Sequence, residues 1–155
     1  MAVSHVDRRG LTRMVRLPRL GAKLAEAPTN LDDDSMERLD EFLRMTRGEQ
    51  YVNTRRLLWL AVVFAGPLKL KDERSPKASG ESVVLGPHAV VMTPQQTVGV
   101  AKVNYYLTQL DAGESIKAAR VYDVGDGGGW WHLDGLHRLL AARILGQSLE
   151  AKVYR

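Results

Sequence analysis

Five consecutive residues near the carboxyl end of the chain have the types and the order of an anion-binding site. They are Asp134, Gly135, Leu136, His137 and Arg138. Glycine lets the backbone approach a phosphate closely, and arginine binds phosphate oxygens in a bidentate geometry. An imidazole that titrates near neutral pH serves as a phosphate ligand or as a general acid or base. We therefore expect all five residues to bind phosphate, with His137 and Arg138 as the candidate catalytic residues.

The flanking pattern predicts that this segment joins a strand to a helix. Residues 130–133 form an aromatic, apolar run, residues 136–145 have helical spacing, and Gly146 is a typical helix stop. The free N–H groups and the positive dipole end of a helix start favour an anion. Two potential cations there cost the helix about 0.3–1 kcal/mol unless an anion is bound. Two alternatives stay open, because Asp134 also suits a helix cap and His137 also suits a surface position.

The elements before this segment predict a mixed α and β architecture. Residues 83–85 and 89–92 are rich in β-branched types and indicate a strand or a bent hairpin. Thr93 and Pro94 are typical of a helix opening, and Gly113 of its end. Strands are then expected at 116–124 and 149–154, with a hairpin turn at 126–129.

The amino-terminal half has a different character. Asn30 and the acidic residues after it predict a helix start, with Gly48 as the stop. A second helix is predicted at about 49–65, although the run WLAVVF at 59–64 suits a buried strand equally well. Residues 67–82 contain two prolines, a glycine and three serines, which is typical of a linker.

The basic residues are concentrated at the amino end. Residues 1–24 hold six arginines or lysines and one aspartate, out of a net charge of +4 for the whole chain. A basic arm of this kind is typical of nucleic-acid contact, and a mitochondrial presequence has a similar composition. The predicted nucleic-acid-binding residues are Arg8, Arg9, Arg13, Arg16 and Arg19.

The composition excludes several classes of chemistry. The chain has no cysteine, which removes disulfides, thiolate metal sites and thiol nucleophiles and suits a cytoplasmic location. Its four histidines have no metal-ligand spacing, so no metal site is predicted. The longest apolar run, residues 57–66, is far shorter than the roughly 20 residues that cross a bilayer, so no membrane association is expected.

The carboxyl-terminal segment from about Leu107 to Tyr154 resembles the ParB/sulfiredoxin-like superfamily. There, a helix ending in glycine leads into a strand and a hairpin, and a DGxHRxxAAxxLG segment precedes a last strand. The corresponding parts here are Gly113, residues 116–124, the turn at 126–129 and residues 134–146.

The resemblance implies a fold and a ligand. The fold is α+β, a small mixed-sheet domain at 83–155. The composition and spacing described above place a flexible basic arm at 1–29, a helical segment at 30–66 and the linker at 67–82 before it. The ligand is a nucleotide, ATP or CTP with Mg²⁺, held through its phosphates by His137 and Arg138. Sulfiredoxin activity is excluded because Leu136 stands where those enzymes have cysteine, and the helix-turn-helix that follows this domain in partition ParB proteins is not expected.

Three functions are compatible with these observations. The first is a ParB-like NTPase or nuclease acting on or near DNA, of the kind found among phage and plasmid accessory proteins. The second is a small-molecule phosphotransferase resembling the free-serine kinases, with Glu114 as the nearest acidic candidate. The third is a non-catalytic module that binds a protein partner, or itself, through residues 30–65.

Overall fold

A computed structural model of the chain describes residues 31–70, 75–125 and 129–155. It also gives the backbone of three short strands in the basic arm, β1 (Ala2–Val6), β2 (Thr12–Arg16) and β3 (Glu26–Pro28). These three form a sheet of their own in the order β2-β1-β3. Asn30 and residues 126–128 lie outside the described residues, so most of the predicted turn remains a prediction. The cap predicted at Asn30 is wrong, because the N-cap of the first α-helix is Asp32.

The fold is α+β, as the sequence predicted, and is centred on a mixed sheet of six strands. Its strands lie in the order β5-β7-β10-β9-β11-β6. The bounds are β5 (Val62–Phe64), β6 (Ala78–Leu85), β7 (Val91–Thr93), β9 (Ala119–Asp123), β10 (Trp130–Asp134) and β11 (Leu149–Tyr154).

Parallel and antiparallel pairs alternate irregularly across this sheet. The strands β5, β7 and β10 are mutually parallel, β10 and β9 form the predicted antiparallel hairpin, and β11 runs parallel to β9. The edge strand β6 pairs with β11 and not with β7, so residues 83–92 do not form a hairpin. Because β6 begins at Ala78, the last residues of the predicted linker belong to the sheet.

In the described residues, three α-helices and a two-stranded sheet accompany the six-stranded sheet. They are α1 (Asp33–Met45), α2 (Val100–Asp111) and α3 (Leu136–Ile144), and the two-stranded sheet pairs β4 (Tyr51–Asn53) with β8 (Thr97–Gly99). The Asp32 carboxylate caps α1 by accepting the Ser35 N–H at 2.7 Å. The acidic residues therefore start this helix, as expected.

The predicted second helix at 49–65 is wrong in type. A strand, a 3₁₀ helix (Thr54–Leu60) and the strand β5 occupy that range. The alternative of a buried strand is confirmed for Val62–Phe64, which pairs with β7. A continuous α-helix cannot form here, because residues 51–53 pair with β8 as a strand and the backbone of Ala61 is left-handed, with φ 58°.

One apolar core joins the two halves of the chain. Side chains from α1, the 3₁₀ helix, the large sheet and α3 belong to a single buried cluster, which includes Leu39, Phe42, Leu57, Val91 and Leu140. Residues 31–66 thus share their core with residues 83–155. Within the part of the chain that the structure describes, no helix combines the length and apolar character needed to cross a membrane.

Arg143 links α3 to two neighbouring segments from inside the protein. Its side chain is only 2% exposed and donates to the backbone carbonyls of Leu60, Ala61 and Ala89. Burial lowers the pKa of this guanidinium to about 10, which leaves it charged at neutral pH. Helical spacing alone does not reveal this burial, since arginine is seldom buried.

Candidate functional site

The start of α3 lies where the sequence predicted it, but its arginine turns back onto the protein. The Arg138 side chain is 6% exposed and donates to the carbonyls of Lys117 and Ala118, each at 3.1 Å. It also donates to the Asp134 carboxylate at 3.2 Å. In this arrangement the guanidinium holds the loop before β9 against α3.

Gly135 is constrained by this arrangement. Its backbone is left-handed at φ 93°, and a Cβ there would lie 2.8 Å from the Arg138 Nη2 and 3.1 Å from the Cα of Ala119. Asp134 does not cap α3, since the N-cap is Gly135 and no side-chain capping hydrogen bond is present there. The glycine is therefore required by close packing inside the protein, as well as by the turn itself.

His137 leaves this group and contacts a different helix start. Its Nε2 accepts the N–H of Gly99 at 3.0 Å, and Gly99 is the N-cap of α2. An Nε2 that accepts must be unprotonated, so the neutral ring carries its proton on Nδ1. Burial, and secondarily the charge of Lys102, lowers the pKa of His137 and favours this neutral form.

A cleft of about 1280 Å³ opens beside this contact. It lies between the carboxyl-terminal half of α1, residues 46–51, residues 95–99 and the first turn of α2, with His137 on one wall. We call it the α2 cleft. Its charged lining consists of three cationic and two acidic side chains, Arg44, Arg47, Lys102, Asp40 and Glu49.

The α2 start was predicted at Thr93 and Pro94, and the structure places it at Val100. The Thr93 hydroxyl accepts the Gln95 N–H at 3.1 Å and bonds to the His132 ring at 2.9 Å, so it forms a local turn and a buried contact. Residues 97–99 instead pair with β4. This added strand, which pairs with a segment more than forty residues earlier, gave no local signal in the sequence.

The first turn of α2 has no side-chain cap. Gly99 offers no side chain, its own N–H is taken by His137, and the Val100 N–H bonds to the Gln50 carbonyl at 3.0 Å. Helix geometry leaves the next N–H groups, those of Ala101 and Lys102, without an intrahelical acceptor. Both residues are exposed and line the α2 cleft.

Asn104 lines the same cleft one helical turn further along. Its side chain is 4% exposed, and within the described residues its Oδ1 has no hydrogen-bond partner. A buried amide oxygen without a partner costs about 1–3 kcal/mol. Such a cost is expected where a ligand supplies the missing hydrogen bond.

The other predicted residues are distributed as follows. Leu136 is buried in the core, whereas Glu114 follows the carboxyl end of α2, about 18 Å from its start along a twelve-residue helix. The structure describes only the backbone of Arg13 and Arg16, and Arg8, Arg9 and Arg19 lie outside the described residues. Among the described residues, no group of three or more carboxylates and histidines is placed to hold a metal ion.

His132, one strand before the site, is 9% exposed and therefore a core residue. Burial is the main cause that lowers its pKa to about 4, while the charge of Asp134 acts in the opposite direction. Comparisons of the chain with protein-family models, with curated proteins and with solved structures found no match.

Proposed function

We propose that the protein binds a nucleotide through its phosphates in the α2 cleft, as a ParB-like NTPase or nuclease acting on or near DNA. The observation that carries this proposal is the uncapped start of α2 beside Asn104, a buried amide whose oxygen has no partner among the described residues. Free N–H groups at a helix start bind phosphate oxygens, and the helix dipole favours their negative charge. The ParB/sulfiredoxin resemblance supports the same ligand class.

Four residues that line the α2 cleft then have distinct roles. Lys102 adds a cation in the first turn of α2, and Arg47 adds another from the opposite wall. His137 orients the Gly99 backbone and becomes a hydrogen-bond donor to phosphate if it takes up a proton. The Asn104 Oδ1 accepts from a hydroxyl or amino group of the ligand.

Arg138 and Asp134 support this site indirectly. Because the Arg138 guanidinium is bonded to Lys117, Ala118 and Asp134, it fixes the first turn of α3 and thereby the position of His137. Direct phosphate contact by Arg138 remains a prediction that requires the side chain to leave these partners. Mg²⁺ fits the proposal as an ion that binds mainly through the phosphates, with Asp40 or Glu49 as the nearby carboxylates.

A thermal-shift panel of ATP, CTP, GTP and their diphosphates, with and without Mg²⁺, tests the proposal. A ligand at a hundred times its dissociation constant stabilises the native state by about 2.7 kcal/mol. We expect at least one nucleotide to raise the melting temperature. A panel without any shift at millimolar concentration would overturn nucleotide binding altogether.

A matched pair of lysine variants then locates the site. Lys102→Ala removes an exposed cation at the start of α2, and Lys117→Ala removes one beside Arg138 at the start of α3. Calorimetry should show an affinity loss of about tenfold for Lys102→Ala, the size of one charge-assisted contact, and little change for Lys117→Ala. A large affinity loss for Lys117→Ala and little change for Lys102→Ala would indicate that the phosphate binds at the start of α3 instead.

The two carboxylates of the α2 cleft favour a second candidate, a small-molecule phosphotransferase. Glu114 is too far from the cleft to serve it, whereas Glu49 lines the cleft and is exposed. A carboxylate beside a bound triphosphate suits activation of an acceptor hydroxyl. Mg²⁺-dependent transfer to a free amino acid that is lost in Glu49→Gln, with nucleotide binding retained, would select this candidate over an NTPase.

The DNA part of the proposal depends on the basic arm. Deleting residues 1–24 removes six cations and one carboxylate. DNA affinity should fall, and its dependence on salt should become shallower, because fewer counterions are released. Unchanged DNA binding after the deletion would assign the contact to another surface.

A further inference from the structure

The 3₁₀ helix at Thr54–Leu60 places every third residue in the core. Thr54, Leu57 and Leu60 are buried, and the four residues between them are exposed. Residues three apart eclipse each other in a 3₁₀ helix. Arg55 therefore stands in line with Leu58, and Arg56 with Trp59. We call these four exposed residues the arginine–tryptophan ridge.

The exposed side chains of the ridge are large and apolar as well as cationic. Leu58 is 62% exposed and Trp59 is 40% exposed, which makes them two of the large hydrophobic side chains that the fold leaves in solvent. The guanidinium carbon of Arg55 lies 4.7 Å from the centre of the Phe64 ring, so this cation is held against the surface by a cation–π contact. A partner would thus meet an exposed indole beside one cation of restricted position, Arg55.

The charge of the segment that contains the ridge favours an anionic partner. From Gln50 to Leu70 the chain has three basic residues, Arg55, Arg56 and Lys69, and no aspartate or glutamate. Cations beside exposed aromatic rings are the arrangement by which proteins bind single-stranded nucleic acid, because the rings stack on unpaired bases and the cations contact the phosphates. Duplex DNA hides its base faces and would use only the cations.

We propose that the arginine–tryptophan ridge binds single-stranded nucleic acid, with one base stacked on Trp59 and the phosphates contacted by Arg55 and Arg56. This surface is distinct from the α2 cleft and needs no nucleotide in it. The ridge begins four residues after Tyr51, which lines the cleft and is 64% exposed. The two sites are therefore consecutive along the chain but recognise different chemistry.

The experiment uses the full chain and two probes, a twelve-nucleotide oligothymidylate and an abasic strand of the same length. The abasic strand keeps the phosphates that the basic arm would bind but offers no base to stack. Trp59→Ala should weaken oligothymidylate binding about five- to a hundredfold and leave binding of the abasic strand unchanged. Trp59→Phe should recover most of the affinity.

Tyr105→Ala is the matched control, since Tyr105 is an aromatic residue that is also 40% exposed, on α2. It should bind both strands like the parent chain. Arg56→Ala should make the slope of log affinity against log salt concentration shallower by about one. Arg120→Ala on β9 should leave this slope unchanged. Thermal unfolding of each variant confirms that it is folded.

Three outcomes would overturn the proposal. Oligothymidylate binding by Trp59→Ala equal to that of the parent chain would remove the stacking contact. Equal losses for both strands would indicate a general structural effect. The third outcome is that the parent chain binds no oligonucleotide but binds a polyglutamate peptide, and that Trp59→Ala abolishes the peptide binding. This result would assign the ridge to an acidic protein partner. None of these results bears on nucleotide binding in the α2 cleft, which Lys102→Ala tests separately.

Discussion

The starts of α2 and α3 contain the same kinds of groups and use them in opposite ways. Both helices have a glycine N-cap without a side-chain cap and a cation in the first turn. At α3 the cation, Arg138, is buried and bonded to protein oxygens. At α2 the cation, Lys102, is exposed and lines a cleft. The helix start with the stronger sequence pattern thus has its arginine bonded within the protein, and the other helix start faces an open cleft.

His137 explains how the two starts are related. It belongs to the first turn of α3, yet its ring binds the N-cap of α2. A residue of one helix start can therefore position the backbone of a neighbouring helix start. The predictions below test this contrast, each with a matched variant.

The largest effect is expected from a pair of glycine substitutions. Gly135→Ala places a Cβ at φ 93° and within about 3 Å of Arg138 and Ala119. It should lower the free energy of unfolding by about 2–4 kcal/mol, since a left-handed alanine and overpacking each cost 1–2 kcal/mol or more. Chemical denaturation measures the change.

Gly99→Ala is the matched variant. Gly99 has an ordinary extended backbone with φ −76°, and an added Cβ would meet nothing closer than 3.7 Å. Its cost should stay below about 1 kcal/mol, the difference between glycine and alanine at an N-cap. An equal loss of unfolding free energy in both variants would mean that the two helix starts are equally constrained. This result would contradict the difference described between α2 and α3.

Acid should destabilise the protein mainly through His132. Its native pKa of about 4 lies below the ordinary value of 6.5, so the unfolded chain binds the proton more tightly. The free energy of unfolding should therefore be highest above pH 6.5 and fall as the pH drops toward 4. The total loss is about 3 kcal/mol at most, from 1.36 kcal/mol per pKa unit.

Denaturation series from pH 7 to pH 4 on two variants separate the contributions. His132→Gln should flatten the pH dependence strongly. His137→Gln should flatten it less, because His137 is the less buried ring and its pKa is lowered to a smaller extent. Pyrophosphate should oppose the loss from His137 alone, since a bound anion favours its protonated form. A parent chain with no change between pH 7 and pH 4 would contradict this interpretation of His132.

The smallest effect sharpens the description of the α2 cleft. Asn104→Leu removes a buried oxygen that has no partner among the described residues, so the unfolding free energy should rise by about 1 kcal/mol while nucleotide affinity falls. Thr108→Val, one turn further along, removes the hydrogen bond that the Thr108 hydroxyl donates to the backbone carbonyl of Asn104 at 2.9 Å. It should lower stability by a similar amount and leave affinity unchanged. A stability loss in Asn104→Leu would show that the amide is satisfied within the fold.

The sequence predicted the carboxyl-terminal half well because its signals are local. The hairpin of β9 and β10, the helix α3 and the strand β11 follow from alternation, helical spacing and glycine stops within a few residues. The start of α2 was placed six residues early because Thr93 and Pro94 resemble a cap. The pairing of β8 with β4 that displaces it depends on a distant segment, which no local pattern reveals.

The candidate site was predicted in part for the same reason. His137 was singled out from its position in the motif, whereas Gly99, Lys102 and Asn104 carried no pattern that distinguishes them from an ordinary helix. The burial of Arg143 could not be predicted, because arginine is seldom buried. Three backbone carbonyls from two other segments make its burial tolerable, and these come together only in the folded chain.

The short helix α3 has a mechanical consequence that extends beyond its own nine residues. In its first turn, His137 accepts a hydrogen bond from Gly99 beside the α2 cleft. In its last turn, Arg143 donates to the Leu60 carbonyl at the end of the 3₁₀ helix. A shift of α3 would therefore move the His137 ring and the carbonyl contacts of Arg143 together. The binding proposed at the α2 cleft and at the arginine–tryptophan ridge should accordingly be measured in the same titration.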